Sequence, residues 1–183
     1  MKSTQPKKVI LIGASSGGPG QISKIVKALP KLTNTSIVIA QHMAEGFLDS
    51  FVYRLFQPSL NNIQIIKDTT FFSSNNVYVC ENSMTLHSDK NRLFFIEQEK
   101  TSTCFNPNIN LMFDSFVKLH EDMEILSVIL TGIGSDGVDA SLNLSKKDVR
   151  VLTETSESAI IDGMPCRARE LIPNVEVYSM NRL

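Results

Sequence analysis

Three side chains have the types and settings that acyl-transfer chemistry needs: Ser15, His42 and Asp136. Ser15 stands in Gly13-Ala14-Ser15-Ser16-Gly17-Gly18-Pro19-Gly20, directly after the apolar run Val9-Ile10-Leu11-Ile12. Gly13-x-Ser15-x-Gly17 has the spacing of a nucleophile elbow, in which small residues let the chain turn sharply and leave a hydroxyl projecting. An amphipathic segment, 21–29, follows and would aim its unpaired amides and positive dipole end at the same spot, which suits a developing oxyanion. The same glycines would equally cradle a phosphate or pack a helix close to a sheet. His42 follows the apolar run 36–40, and Asp136 lies in Thr131-Gly132-Ile133-Gly134-Ser135-Asp136-Gly137 after the run 127–130. Nucleophile, proton shuttle and an orienter for the imidazole are the three parts required. A lone histidine at a strand end is commonly structural, and Asp-Gly is ordinary turn chemistry. Their joint delivery to equivalent strand ends is what carries weight. His87 and His120 sit in a short extended run and at a helix end, where no chemistry is needed to explain them.

The elements that must position these groups read as an α/β fold. Runs 9–12, 36–40 and 127–130 are continuously apolar and β-branched, as in parallel strands covered on both faces. Helical spacings at 21–29 and 48–56 end at Pro30 and Pro58. Further helices are expected at 109–120, 139–146 and 166–170, with strands at 149–153 and 175–178. Runs 63–66, 76–80, 84–87 and 92–97 have no helix between them and read as a local antiparallel meander or hairpin inserted at one edge of the sheet. The expectation is one domain over 1–183: a doubly wound, mainly parallel, Rossmann-like three-layer sheet with helices on both faces.

Eighteen basic against nineteen acidic residues give a net charge of -1, which excludes the strongly basic footprint of a nucleic-acid binder. No apolar run reaches membrane-spanning length, and residues 1–8 lack a signal-peptide core, so a cytoplasmic protein without membrane insertion is expected. Three cysteines, Cys80, Cys104 and Cys166, form no CxxC pair. They imply neither a disulfide framework nor a metal site, and no cofactor is called for.

Five blocks resemble the catalytic domain of the CheB chemotaxis protein-glutamate methylesterases: residues 12–19, Gln41-His42-Met43-x-x-Gly46-Phe47, Phe113-Asp114-Ser115, Leu130-Thr131-Gly132-x-Gly134-x-Asp136-Gly137, and Gly163-Met164-Pro165. The family's triad falls on Ser15, His42 and Asp136. The resemblance implies a hydrolase that removes γ-methyl esters from glutamates on the cytoplasmic domains of methylated chemoreceptors, with deamidation of glutamines as a companion reaction. The backbone amides of Ser16 and Ile133 are the candidate oxyanion donors, and Met43, Asn110 and Met164 the candidate substrate contacts. A neutral His42 is needed as base, so activity is expected to fall below roughly pH 6.5, where a free imidazole gains its proton.

Several positions depart from the family pattern. Ser16 and Ile133 replace a usual threonine and methionine, and the family's Arg-Pro-Ser-Val-Asp appears as Asn106-Pro107-Asn108-Ile109-Asn110, removing a cation and an anion. Typical members carry an N-terminal receiver domain, whereas the first strand here begins near residue 9. A constitutive esterase, or one controlled by a separate regulatory protein, is the expectation. Two other readings stay open: a non-catalytic receptor-binding adaptor, and a dinucleotide-binding oxidoreductase built on Gly13-x-x-x-Gly17-Gly18-x-Gly20. The second lacks an acidic residue at the end of run 36–42 for a ribose.

Overall fold

The computed structural model describes residues 5–44, 46–57, 59–67, 69–90, 92–98 and 105–183. The chain runs β1 (Lys8–Ala14), α1 (Gly18–Ala28), β2 (Thr35–Gln41), α2 (Leu48–Phe56), β3 (Asn62–Ile66), β4 (Thr70–Phe71), β5 (Asn76–Cys80), β6 (Met84–Asp89) and β7 (Arg92–Glu97). It continues through α3 (Ile109–Asp114), a 3-10 turn (Val117–Leu119), β8 (Glu124–Ile129), α4 (Val138–Ser145), β9 (Arg150–Glu154), α5 (Met164–Leu171) and β10 (Glu176–Tyr178).

Seven strands form one sheet in the order β10-β9-β8-β1-β2-β5-β3, and every pairing in it is parallel. The central strands β1 and β2 are almost wholly buried, as their unbroken apolar runs require. On one face Ile22 and Val26 of α1 and Phe51 and Leu55 of α2 pack against Ile12, Ile37 and Ile39. On the other, Ile109, Met112 and Phe113 of α3, Val138 and Leu144 of α4 and Met164 and Ala168 of α5 pack with Val9, Leu11 and Val38. The strand order reverses beside β1: successive strands grow one way to β3, then return to β8 on its other side. In open α/β sheets ligand crevices form outside the carboxyl ends at this switch point.

The middle of the chain departs from the expected meander. Asn62–Ile66 and Asn76–Cys80 join the parallel sheet, with β5 inserted between β2 and β3. Only β4, β6 and β7 form the antiparallel unit, in the order β4-β7-β6. That unit packs over a face of the large sheet through the Phe95 ring, 5.3 Å from Tyr78 of β5 and 5.3 Å from Phe72. The helix expected over 109–120 stops at Asp114, because the Ser115 hydroxyl donates to the Met112 carbonyl (2.6 Å) and accepts from the Leu86 amide (2.9 Å).

Candidate active site

β1 ends at Ala14, and its extension places Ser15 over the switch point, where the Ser15 amide donates to the Thr131 carbonyl (2.9 Å) across from the end of β8. Two glycines shape this turn. A Cβ on Gly13 would stand 2.7 Å from Ile109 Cγ2, so its absence lets α3 close onto β1 beneath the serine. Gly17, the residue before α1, takes φ +86°, the left-handed region that favours glycine. Ser15 itself is not among the positive-φ residues, so the turn lacks the strained serine of a true nucleophile elbow.

His42 follows β2, and its amide donates to the Ala14 carbonyl (3.0 Å), which registers it beside the serine. Its Nδ1 lies 3.2 Å from Ser15 Oγ and its Nε2 lies 2.7 Å from Asp136 Oδ2. A carboxylate only accepts, so Nε2 carries the proton and Nδ1 keeps the lone pair that faces the hydroxyl. The imidazole is 11 % exposed and the Asp136 side chain 3 %.

Burying a carboxylate is costly unless its oxygens are bonded. Asp136 meets this through the first turn of α3: Oδ2 accepts from the Ile109 amide (2.8 Å) and Oδ1 from the Asn110 amide (2.9 Å). Bonds to a charged group are worth about 1.5 to 3 kcal/mol each. The exchange is reciprocal, since Asn110 Oδ1 accepts from the Ala140 amide (3.0 Å) in the first turn of α4. The side chain expected to contact substrate is thus committed to capping a helix.

The loop after β8 is fixed from behind by Glu154, at the end of β9 and wholly buried. Its Oε1 accepts from the Thr131 amide (2.8 Å), and its Oε2 accepts from Gln21 Nε2 (2.7 Å) and Ser158 Oγ (3.3 Å). Burial raises the Glu154 carboxyl above its ordinary pKa, and these hydrogen bonds pull it partly back. Thr131 Oγ1 in turn donates to the Ser16 carbonyl (3.0 Å), and Gln41 Nε2 donates to the carbonyls of Ser15 and His42 (2.8 Å each). β2 therefore ends in an amide aimed at the serine turn, with no carboxylate to receive a ribose.

Ser16 and Ile133 are exposed, one next to Ser15 in the chain and the other next to Gly132, which packs against Ser15, and neither backbone amide has an acceptor among the described residues. Met43 is half-buried and lines a cleft of about 170 Å³ with Gln41, Glu81, Asn82 and Asn106. Met164, expected to touch substrate, is fully buried instead; its amide donates to the Gly132 carbonyl (2.8 Å) and its sulfur backs Gly132. Cys80 is buried, which pushes its thiol far above the usual range and leaves it inert. Cys166 is a half-buried free thiol, and Cys104 lies outside the described residues. His87 is exposed and His120 Nδ1 lies 2.9 Å from the Val117 carbonyl, both remote from Ser15 in the bonding network. No cluster of three or more His, Cys, Asp or Glu able to hold a metal occurs among the described residues.

Sequence reasoning missed Glu154, whose only signal was an acidic residue closing an apolar strand, and Phe105. The Phe105 ring stacks on His42 with centroids 4.8 Å apart and planes 9° from parallel.

A serine, an imidazole and a carboxylate thus stand hydrogen-bonded in series at the switch point of an open parallel sheet, in an α/β protein whose site holds the parts that acyl transfer needs. The CheB methylesterase family model matches residues 10–183, and the chain belongs to that family. It is 31% identical over 177 residues to a protein-glutamate methylesterase/protein-glutamine glutaminase of Saccharophagus degradans, covering 96% of this chain and 48% of that protein. It is 28% identical over 174 residues to one from Caldanaerobacter subterraneus, covering 92% and 47%. The chain thus spans about half the length of these curated relatives. The crystal structure of the Thermotoga maritima CheB methylesterase catalytic domain superposes with a TM-score of 0.87 at 25% identity, covering 98% of this chain and 95% of that one. No helix among the described residues is long and apolar enough to cross a membrane.

Proposed function

We propose that the chain hydrolyses γ-methyl esters of glutamate side chains on the cytoplasmic domains of chemoreceptors, and deamidates glutamines there, through an acyl-enzyme on Ser15. The observation that carries this reading is His42, whose two ring nitrogens reach Ser15 Oγ (3.2 Å) and Asp136 Oδ2 (2.7 Å) together. Ser15 Oγ attacks the side-chain carbonyl as its proton passes to His42 Nδ1; the imidazolium donates to Asp136 through Nε2. The tetrahedral oxyanion is received by the Ser16 and Ile133 amides, which have no acceptors of their own among the described residues. On collapse His42 returns the proton to the leaving oxygen or nitrogen, and methanol or ammonia departs. A water, deprotonated by the same imidazole, then releases the glutamate carboxylate and restores Ser15. On this reading the chain works in the cytoplasm, where those receptor domains lie.

The test is methanol release from methylated receptor. The wild-type chain should release it, and Ser15→Ala should cut the rate by about 10³-fold or more while still binding receptor. Binding by both proteins with no methanol from either would mark an adaptor and end the hydrolase reading.

A further inference from the structure

Phe105 lies just before the segment that enters α3 and is 40 % exposed at the mouth of the site. Its ring covers one face of the His42 imidazole, 4.8 Å between centroids and 9° from parallel, while a Cβ on Gly134 would sit 3.7 Å from its far edge. It therefore spans from the proton shuttle to the glycine loop before Asp136. The two hydrogen bonds of His42 fix the ring's edges but leave its faces to packing. Stacked at this distance, the imidazole faces the Phe105 π system well within the range over which an electron-rich ring face attracts a cation.

We propose that Phe105 is a positioning residue for His42: it holds the imidazole plane on the line from Ser15 to Asp136 and favours the cationic ring formed as the serine gives up its proton. Among the described residues the other groups facing the ring are Asp136, from the 131–137 loop, and Ser15, from the β1–α1 turn. The 105–110 segment offers only Phe105 and neutral asparagines on this side, and the adjoining cleft adds Glu81, which is paired with Lys67 (3.2 Å). Phe105 is thus the aromatic contribution set against one dominant carboxylate.

The kinetic arm rests on the acyl-transfer reading; the spectroscopic arm does not, so the two can fail separately. Phe105→Leu keeps an apolar cover over the ring but removes its π face, and Phe105→Tyr restores that face. In Phe105→Leu, the NMR titration midpoint of the His42 ring should move to lower pH by about 0.3 to 0.7, a two- to fivefold change in proton affinity. The acidic limb of kcat/KM should move with it, kcat should fall about two- to fivefold, and KM should stay put. Phe105→Tyr should match wild type in all four readouts. A midpoint that is unmoved or moves upward in Phe105→Leu overturns the proposal whether or not methanol is released. A change in KM alone overturns it in favour of a substrate-contacting wall, and equal losses in the Leu and Tyr variants reduce Phe105 to filling space.

Discussion

The carboxyl edge of the parallel sheet and the three-stranded antiparallel sheet use buried space in opposite ways. At the edge of the large sheet the buried side chains include Gln21, Gln41, Thr131, Asp136, Thr153 and Glu154, most of them bonded to one another or to the loop backbones. In the small sheet the buried side chains are Met84, Leu86, Leu93 and Phe95, and His87 and Asp89 of the same hairpin stand in solvent. Buried polar groups need partners, so a cluster of them fixes geometry more sharply than apolar contact does. Among the described residues the small sheet and the turn before it bear on the site by holding the two ends of α3. Ser83, just before β6, accepts from the Asn108 amide (2.9 Å), and Leu86 donates to Ser115 (2.9 Å). One region places reacting groups; the other supports the helix whose first two amides hold Asp136.

Asp136 stands where the two regions meet, and replacing it should produce the largest effect. Asp136→Asn keeps the shape but offers one acceptor where three donors arrive, from His42, Ile109 and Asn110. With its oxygen in the Oδ2 position it still serves His42 and Ile109 but sets its NH₂ against the Asn110 amide; turned the other way, its NH₂ opposes His42 Nε2 and Ile109 and forces the wrong tautomer toward Ser15, and in either pose the imidazolium loses its anion. Methanol release should drop by about 10³ to 10⁴-fold. The unfolding midpoint in urea should also fall, since one buried donor loses its acceptor at a cost of about 1 to 3 kcal/mol. A variant with undiminished turnover would detach the carboxylate from the chemistry and leave it as a helix cap alone.

Next in size is Asn110→Ala, which separates capping from contact with substrate. The backbone amide that holds Asp136 stays, but the Ala140 amide loses its acceptor, so stability should fall by about 1 kcal/mol. Turnover should change only a few-fold. A loss of turnover approaching that of Asp136→Asn, with stability intact, would place the Asn110 side chain in the substrate cleft after all.

The same contrast explains what could be read from the sequence. β1, β2 and β8 were legible because strands covered on both faces must be continuously apolar, and the groups at their ends follow from chain direction. β5 carries the same signal in Val77-Tyr78-Val79-Cys80, but without a helix before or after it the run looked like part of a hairpin. β3, at the sheet edge, is only partly buried and gave no parallel signature. The end of α3 depended on Ser115 finding a partner on β6, a contact 29 residues distant. Asn110 and Met164 were legible as parts of motifs, but not their direction: one side chain turns to α4 and the other sits behind Gly132. Glu154 and Phe105 depend wholly on the tertiary fold, since neither a lone glutamate nor a loop phenylalanine has a periodicity to betray it.

The smallest expected effect tests whether the buried network at the sheet edge needs a charge or only hydrogen bonds. The Glu154 carboxyl has a raised pKa in the folded chain, so the folded state binds its proton more tightly than the unfolded one. Stability from this group is therefore fully present below the ordinary glutamate value and is lost as pH rises through the raised folded value. Glu154→Gln removes the titration while its carbonyl still accepts from Thr131. Gln21 can turn its amide, because its Oε1 has no partner among the described residues, to receive the new NH₂. The variant's urea midpoint should thus gain on the wild type as pH rises above the ordinary glutamate value, by less than the Asn110 cap is worth, with turnover little altered because Thr131 stays in place. A variant that instead loses ground as pH rises would mean that the negative charge itself holds the Thr131 loop, and that the edge of the large sheet relies on electrostatics more than on satisfied hydrogen bonds.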